Sequence, residues 1–264
     1  MIINVANHPV YIYTGTRPVD PARPTVVFIH GAANDHSVWN LPARYFAHHG
    51  RNVLAVDLPG HGRSGGTPLS SVEALADWIV AVLDAAGIAE AALVGHSLGS
   101  LTALAAAEKH PARVTRIALV GPAVPMPVSD VLLDAARADD HVAFELINSW
   151  SYSPGKQFGG NQVPGMWMTG NGMRLMERTP PGALYTDLAA CNNYADGLNA
   201  AAATRCPALL LLGARDLMAP PKAAQALIGA LPDRKVVTIA ECGHSLMAEQ
   251  TDAVLDALIA FLGR

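Results

Sequence analysis

Apolar residues along this chain fall into short blocks separated by polar, glycine-rich or proline-rich joints, and two kinds of block alternate. Thr25 to Ile29, Asn52 to Asp57, Glu90 to Val94, Val114 to Gly121, Ala208 to Gly213 and Val236 to Ile239 are compact runs rich in Val, Ile and Leu. Such short, nearly continuous runs are the pattern of strands buried on both faces. Between them lie longer stretches with helical spacing. In Ser71 to Gly87, Val72, Leu75, Ala76, Ile79, Val82 and Leu83 share one face. Leu101 to Lys109 is built on Ala103, Ala105, Ala106 and Ala107, with His110-Pro111 stopping it. Ser37 to Gly50 reads as a helix with Ser37 as N-cap and Gly50 as the stop, and Ala248 to Leu262 as a closing helix. At the start, Ile2 to Ala6 and Val10 to Tyr13 flank Asn7-His8-Pro9, the arrangement of an antiparallel hairpin at a sheet edge. Strand and helix in alternation after such a start predict an α/β fold, with a mostly parallel sheet covered on both sides.

The rhythm breaks between 122 and 204. Val128 to Ala138, His141 to Trp150 and Gly182 to Asn192 look helical, while Pro154 to Gly172 is glycine-rich. Met126, Met166, Met168, Met173 and Met176 lie here with Trp150 and Trp167. Methionine adapts to irregular apolar shapes, so the cluster fits an apolar substrate pocket, and it equally fits the private core of a small lobe. The division expected is a core of 1–121 and 205–264 with an insertion of 122–204.

Composition narrows the choice of partner. Of 264 residues, 51% are hydrophobic and 15% charged, with a net charge of −4. That is a globular chain with no basic run for nucleic acid. No apolar stretch approaches the roughly 18–20 residues of a membrane span. Cys191, Cys206 and Cys242 are odd in number and lack metal-ligand spacing, so they read as small hydrophobes in a reducing compartment. With no basic-then-apolar leader at Met1-Ile2-Ile3-Asn4, the expected location is the cytoplasm. No metal or cofactor site is expected, and the chain leaves room for a homodimer.

Candidate chemistry sits in loops at strand ends. Leu93-Val94-Gly95-His96-Ser97-Leu98-Gly99 is a strand that breaks into Gly-x-Ser-x-Gly directly before a helix. A serine there sits in a sharp, strained turn whose flanking glycines carry no Cβ to clash. The following helix N-terminus points its N–H groups at the same spot. Further along are His30-Gly31-Ala32 after the Thr25 strand, Asp57-Leu58-Pro59-Gly60-His61-Gly62-Arg63-Ser64 after the next, Gly213-Ala214-Arg215-Asp216-Leu217-Met218-Ala219-Pro220, and Glu241-Cys242-Gly243-His244-Ser245.

These motifs, in this order, resemble the α/β-hydrolase superfamily over nearly the whole chain outside residues 122–204. The resemblance implies an eight-stranded, mostly parallel sheet and an inserted helical cap over the active site. It implies Ser97 as nucleophile, Asp216 as acid and His244 as base. The backbone N–H groups of Ala32 and Leu98 then form the oxyanion hole, and His30, Asp57 and His61 serve structure. Trp150, Trp167, Met168 and Met218 are the substrate-binding candidates. The activity implied is hydrolysis of carboxylic esters of small to medium, mainly apolar substrates through an acyl-enzyme. Carbon–carbon bond hydrolysis or lactonase chemistry would reuse the same three residues, with Arg174 or Arg178 holding a substrate carboxylate. A receptor with slow turnover is the reading from a different class.

Overall fold

The computed structural model describes residues 1–160 and 165–263. Eight strands form one sheet: β1 (Ile2–Val5), β2 (His8–Tyr13), β3 (Thr25–Ile29), β4 (Asn52–Val56), β5 (Ala91–His96), β6 (Val114–Val120), β7 (Ala208–Gly213) and β8 (Arg234–Ile239), in spatial order β1-β2-β4-β3-β5-β6-β7-β8. The β1–β2 and β2–β4 pairings are antiparallel and the others parallel. The hairpin turn falls one residue earlier than the sequence suggests. Ala6 and Asn7 take positive φ, and His8 and Pro9 already belong to β2. Pro9 is tolerated there because it lies near the start of its strand.

Alternation along the strands sends neighbouring residues into two different cores. Val27, Ile29, Leu54, Val56, Leu93, Ile117, Leu119 and Leu210 pack with α2 (Val72–Ala85) and α3 (Leu98–Lys109). Val26, Phe28, Val53, Ala55, Val94, Ala118, Leu209 and Leu211 pack with α1 (Asn40–His48) and with the closing helix Thr251–Leu262. A strand covered on both faces has no polar side, which is why its sequence runs apolar without a break. Ser71 caps α2 by accepting from Ala74 N, as expected. The cap near α1 differs: Asp35 accepts from Ser37 N, and a 3₁₀ turn, His36–Trp39, precedes the helix. The carboxylate at position 35 outcompetes Ser37 because it reaches the free N–H two residues on.

Among the described residues between β6 and β7 the elements are all helices: α4 (Asp130–Arg137), α5 (Val142–Ser151), α6 (Pro154–Gln157), α7 (Met168–Met176), α8 (Ala183–Asn193) and α9 (Gly197–Ala203). Residues 161–164 of the glycine-rich span lie outside the described residues. Leu132, Ala136, Ala143, Ile147, Met176, Leu184 and Leu188 form a separate apolar cluster that also takes in Ala33 from the core. Behind β7 and β8, α10 (Gln225–Ala230) and α11 (Leu246–Glu249) precede the closing helix, α12 (Thr251–Leu262). Among the described residues, no helix is long and apolar enough to cross a membrane.

Candidate active site

Ser97 stands between β5 and α3 with φ 52° and ψ −117°. For a residue with a Cβ this conformation costs about 1–3 kcal/mol, and the packing around it explains why it persists. A Cβ on Gly95 would lie 1.9 Å from Gly99 O, and one on Gly99 would lie 2.4 Å from Ile29 O. Both flanking positions must therefore be glycine for α3 to lie this close to β3 and β5. Ser97 N donates to Val120 O at 2.9 Å, which ties the turn to β6.

Two more loops reach this point. Gly31 brings the loop after β3 so close that a Cβ there would sit 3.2 Å from the Ser97 Cβ. The next N–H, that of Ala32, has no acceptor within the described residues, and neither has the N–H of Leu98 at the first position of α3. From the other side comes the loop after β8. His244 Nδ1 and Asp216 Oδ2 are 2.8 Å apart, and both residues are buried. Asp216 Oδ1 accepts from Met218 N and Ala219 N, each at 2.8 Å. Burial raises the Asp216 pKa, but His244 and the two N–H groups outweigh it and hold the carboxyl below its usual value. This carboxylate is therefore ionised at neutral pH.

The His244 loop is fastened on two sides. His96 Nε2 donates to His244 O at 2.9 Å. Burial lowers the His96 pKa to about 3, so its ring is neutral. Ser151 O, at the end of α5, accepts from His244 N and Ser245 N at 2.8 and 2.9 Å. Glu249, also buried, accepts from Gly243 N at 2.9 Å and from Ser153 Oγ at 2.6 Å. No sequence signal marks His96, Ser151 or Glu249. His96 occupies a variable position of its motif, and the other two matter because the end of α5 and Ser153 meet the loop after β8.

A cavity of about 410 Å³ connects these groups, lined by Ala32, Ser97 and His244 on the core side. The segment between β6 and β7 contributes Met126, Leu132, Ile147, Trp150, Tyr152 and Met176 among others, and Met218 comes from the Asp216 loop. Of the four side chains expected to bind substrate, Trp150 and Met218 line the cavity, while Trp167 and Met168 do not. Trp167 is 70% exposed, and its ring lies back over Gly170. Met168 is buried one helical turn beyond Gly172, beneath the Tyr152 hydroxyl that donates to its carbonyl. The helix α7 instead presents Gly172 and Met176 to the cavity.

The remaining polar candidates are occupied elsewhere. Asp57 accepts from His36 N and His36 Nδ1, each at 2.7 Å, and from Arg63 N at 2.8 Å. His30 Nε2 accepts from Leu58 N, which leaves Nδ1–H to donate to Gly31 O. Burial lowers the His30 pKa to about 4. Glu241 is exposed and pairs with Arg215. Arg178 pairs with Asp35 at 2.8 Å and Arg174 with Glu177, and neither arginine lines the cavity.

A family profile described as "Alpha/beta hydrolase family" matches residues 26–257. The chain belongs to the alpha/beta hydrolase family. Relatives of this hydrolase include a 2-hydroxy-6-oxononadienedioate/2-hydroxy-6-oxononatrienedioate hydrolase of Paraburkholderia phymatum, 28% identical over 91% of this chain and 87% of the relative. A pimeloyl-[acyl-carrier protein] methyl ester esterase of Aromatoleum aromaticum is also 28% identical, over 84% of this chain and 92% of its own length. In fold, the hydrolase superposes on the enol-lactonase from Burkholderia xenovorans with a TM-score of 0.88, at 22% identity and full coverage of both chains.

Proposed function

We propose that this hydrolase cleaves uncharged carboxylic esters through a Ser97 acyl-enzyme. The observation carrying the reading is that Ser97 and His244 line one cavity, with His244 backed by a buried, ionised Asp216. In this reading His244 accepts the Ser97 proton as the hydroxyl attacks the ester carbonyl. Asp216 holds the proton on Nδ1, so that Nε2 is the free base, and stabilises the imidazolium that forms. The unpartnered N–H groups of Ala32 and Leu98 take the developing oxyanion, each worth about 3 kcal/mol in such sites. His244 then protonates the leaving alcohol, and water, activated in turn by His244, releases the acid.

The insertion, residues 122–204, is read as the cap that supplies most of the cavity wall. Among the described residues that line the cavity, His96, His244, the Tyr152 phenol and the Cys191 thiol are the ionisable side chains. A substrate carboxylate would lose its hydration there without gaining a cation. This favours neutral acyl groups over the dioate named for the Paraburkholderia phymatum relative. A lactone is a neutral ester and remains the second reading, since the same attack opens its ring.

The test is a panel of p-nitrophenyl esters of graded acyl length, each beside its ω-carboxylate counterpart, together with a γ-lactone and a β-diketone. Steady turnover of the neutral esters, with the carboxylates at least tenfold poorer in kcat/KM, supports the reading. Preference for the carboxylates or for the β-diketone overturns it, and single-turnover behaviour on every ester points to a receptor.

A further inference from the structure

The loop that carries the Ala32 N–H is held by the insertion. Ala33 takes a positive φ of 53°, a left-handed conformation that crowds a side-chain-bearing residue and persists only where its surroundings hold it. Its two backbone polar groups both find partners in the insertion. Ala33 N donates to Asp187 Oδ2 on α8 at 3.0 Å, and Ala33 O accepts from Thr179 Oγ1 at 3.1 Å. On the other side of Ala32, the core fixes the chain through His30 Nδ1 on Gly31 O at 2.8 Å. The Ala32 peptide is thus flanked by His30 on the core side and by Asp187 and Thr179 on the other, across a short turn in which Asn34 N donates to Gly31 O at 3.3 Å and Asn34 Nδ2 to Ala32 O at 3.2 Å.

Asp187 is itself secured by a buried charge. Its Oδ2 also accepts from His61 Nε2 at 2.9 Å, and His61 Nδ1 faces Pro59 O at 3.0 Å. Both ring nitrogens of His61 thus face acceptors, an arrangement that only the doubly protonated imidazolium satisfies. Burial alone would lower the His61 pKa, but the Asp187 carboxylate and these hydrogen bonds raise it. His61 and Asp187 are each 2% exposed. An ion pair buried this deeply is costly to break on one side only.

From this geometry we infer that Asp187, held by His61, is a positioning residue for the oxyanion hole: the insertion completes the hole by fixing Ala33 and so aiming the Ala32 N–H at the cavity. The inference rests on reading the Ser97 cavity as an acyl-transfer site.

The test compares Asp187→Ala with Asp187→Asn, whose amide oxygen can still accept from Ala33 N. A His61→Leu/Asp187→Leu double variant removes the acceptor without leaving a charge unpaired. Asp139→Ala serves as control, because Asp139 Oδ1 only accepts from Gly182 N at the start of the same helix. For each variant, kcat and KM on a p-nitrophenyl ester are measured beside the Ki of an aryl trifluoromethyl ketone, which places an oxyanion in the hole. Asp187→Ala and the double variant are expected to lower kcat at least tenfold and raise Ki by a similar factor, with KM within threefold of wild type. Asp187→Asn should recover most of the loss, and Asp139→Ala should leave kcat and Ki unchanged while lowering Tm. Unchanged Ki in a folded double variant, or equal losses in Asp139→Ala, overturns the inference alone. If the ketone fails to inhibit the wild-type enzyme, the acyl-transfer reading falls and the inference with it.

Discussion

Replacing Asp216 by asparagine probes the link between geometry and chemistry at a single oxygen. Asp216 Oδ1 accepts two N–H groups, from Met218 and Ala219, while Oδ2 faces His244 Nδ1. An asparagine must keep its carbonyl oxygen on the two N–H donors, because turning the NH₂ toward them would leave three donors facing one another. The NH₂ then points at His244, whose Nδ1 becomes an acceptor, and the ring proton moves to Nε2. That tautomer offers Ser97 a donor where a base is needed. Related triads lose about 10⁴ in kcat on this change, or about 5.5 kcal/mol of transition-state stabilisation. The fold loses little, since both loop hydrogen bonds survive. The assay is kcat on a p-nitrophenyl ester beside a thermal melt, with Asp57→Asn and Glu241→Gln in parallel. Asp57→Asn should mainly lower stability, because Asp57 accepts hydrogen bonds from His36 and Arg63 and none from His244. Glu241→Gln should change neither quantity, since Glu241 is exposed. An Asp216→Asn enzyme that keeps more than about a tenth of the wild-type kcat refutes this reasoning.

Gly99→Ala should destabilise the fold by about 3 kcal/mol, at the upper end for overpacking, because its Cβ would lie 2.4 Å from a backbone carbonyl that cannot move aside; a Tm within 2 °C of wild type would count against it. Trp150→Ala enlarges the cavity and should shift the acyl-length optimum of kcat/KM toward longer chains, whereas Trp167→Ala, whose ring lies outside, should leave that profile unchanged. Acid should weaken the fold through two histidines that are buried in the neutral form. His30 and His96 have native pKa values of about 4 and about 3, below their unfolded value of about 6.5. Unfolding therefore takes up about two protons near pH 5, and stability falls with decreasing pH by nearly 3 kcal/mol per unit there. Urea titrations at pH 6, 5.5 and 5 measure the slope, and a flat series contradicts the neutral burial of these rings.

The sheet was legible because strands buried on both faces leave unbroken apolar runs, as β3, β4, β5 and β7 do. Gly95, Ser97 and Gly99 were legible for a related reason: close approach between β3, β5 and α3 admits no Cβ at two of those positions. Asp216 and His244 could be nominated from their loops, although their 2.8 Å contact is a property of the fold alone. Between β6 and β7 the sequence is less informative. Helix α7 starts inside the stretch that reads as glycine-rich, Pro154 to Gly172, with no helix expected there, and whether Trp167 or Met176 faces the cavity depends on the rotation of that short helix. The His61–Asp187 pair was opaque in sequence, since its partners lie 126 residues apart. Read locally, His61 is only part of a glycine-rich loop, and Asp187 is one of several polar positions on its helix, beside Thr186, Asn192 and Asn193.

The central claim is that Ser97 carries the acyl group. It is tested by mixing the enzyme with excess p-nitrophenyl butyrate, quenching in acid within milliseconds and locating the added mass by peptide mass spectrometry. A butyryl group is expected on the peptide containing Ser97, formed with a burst of p-nitrophenol stoichiometric with enzyme if deacylation is the slower step. Asp216→Asn should form it far more slowly, and Ser97→Ala not at all. Turnover that persists in Ser97→Ala, or a butyryl group found on a different residue that follows the kinetics of turnover, would contradict it.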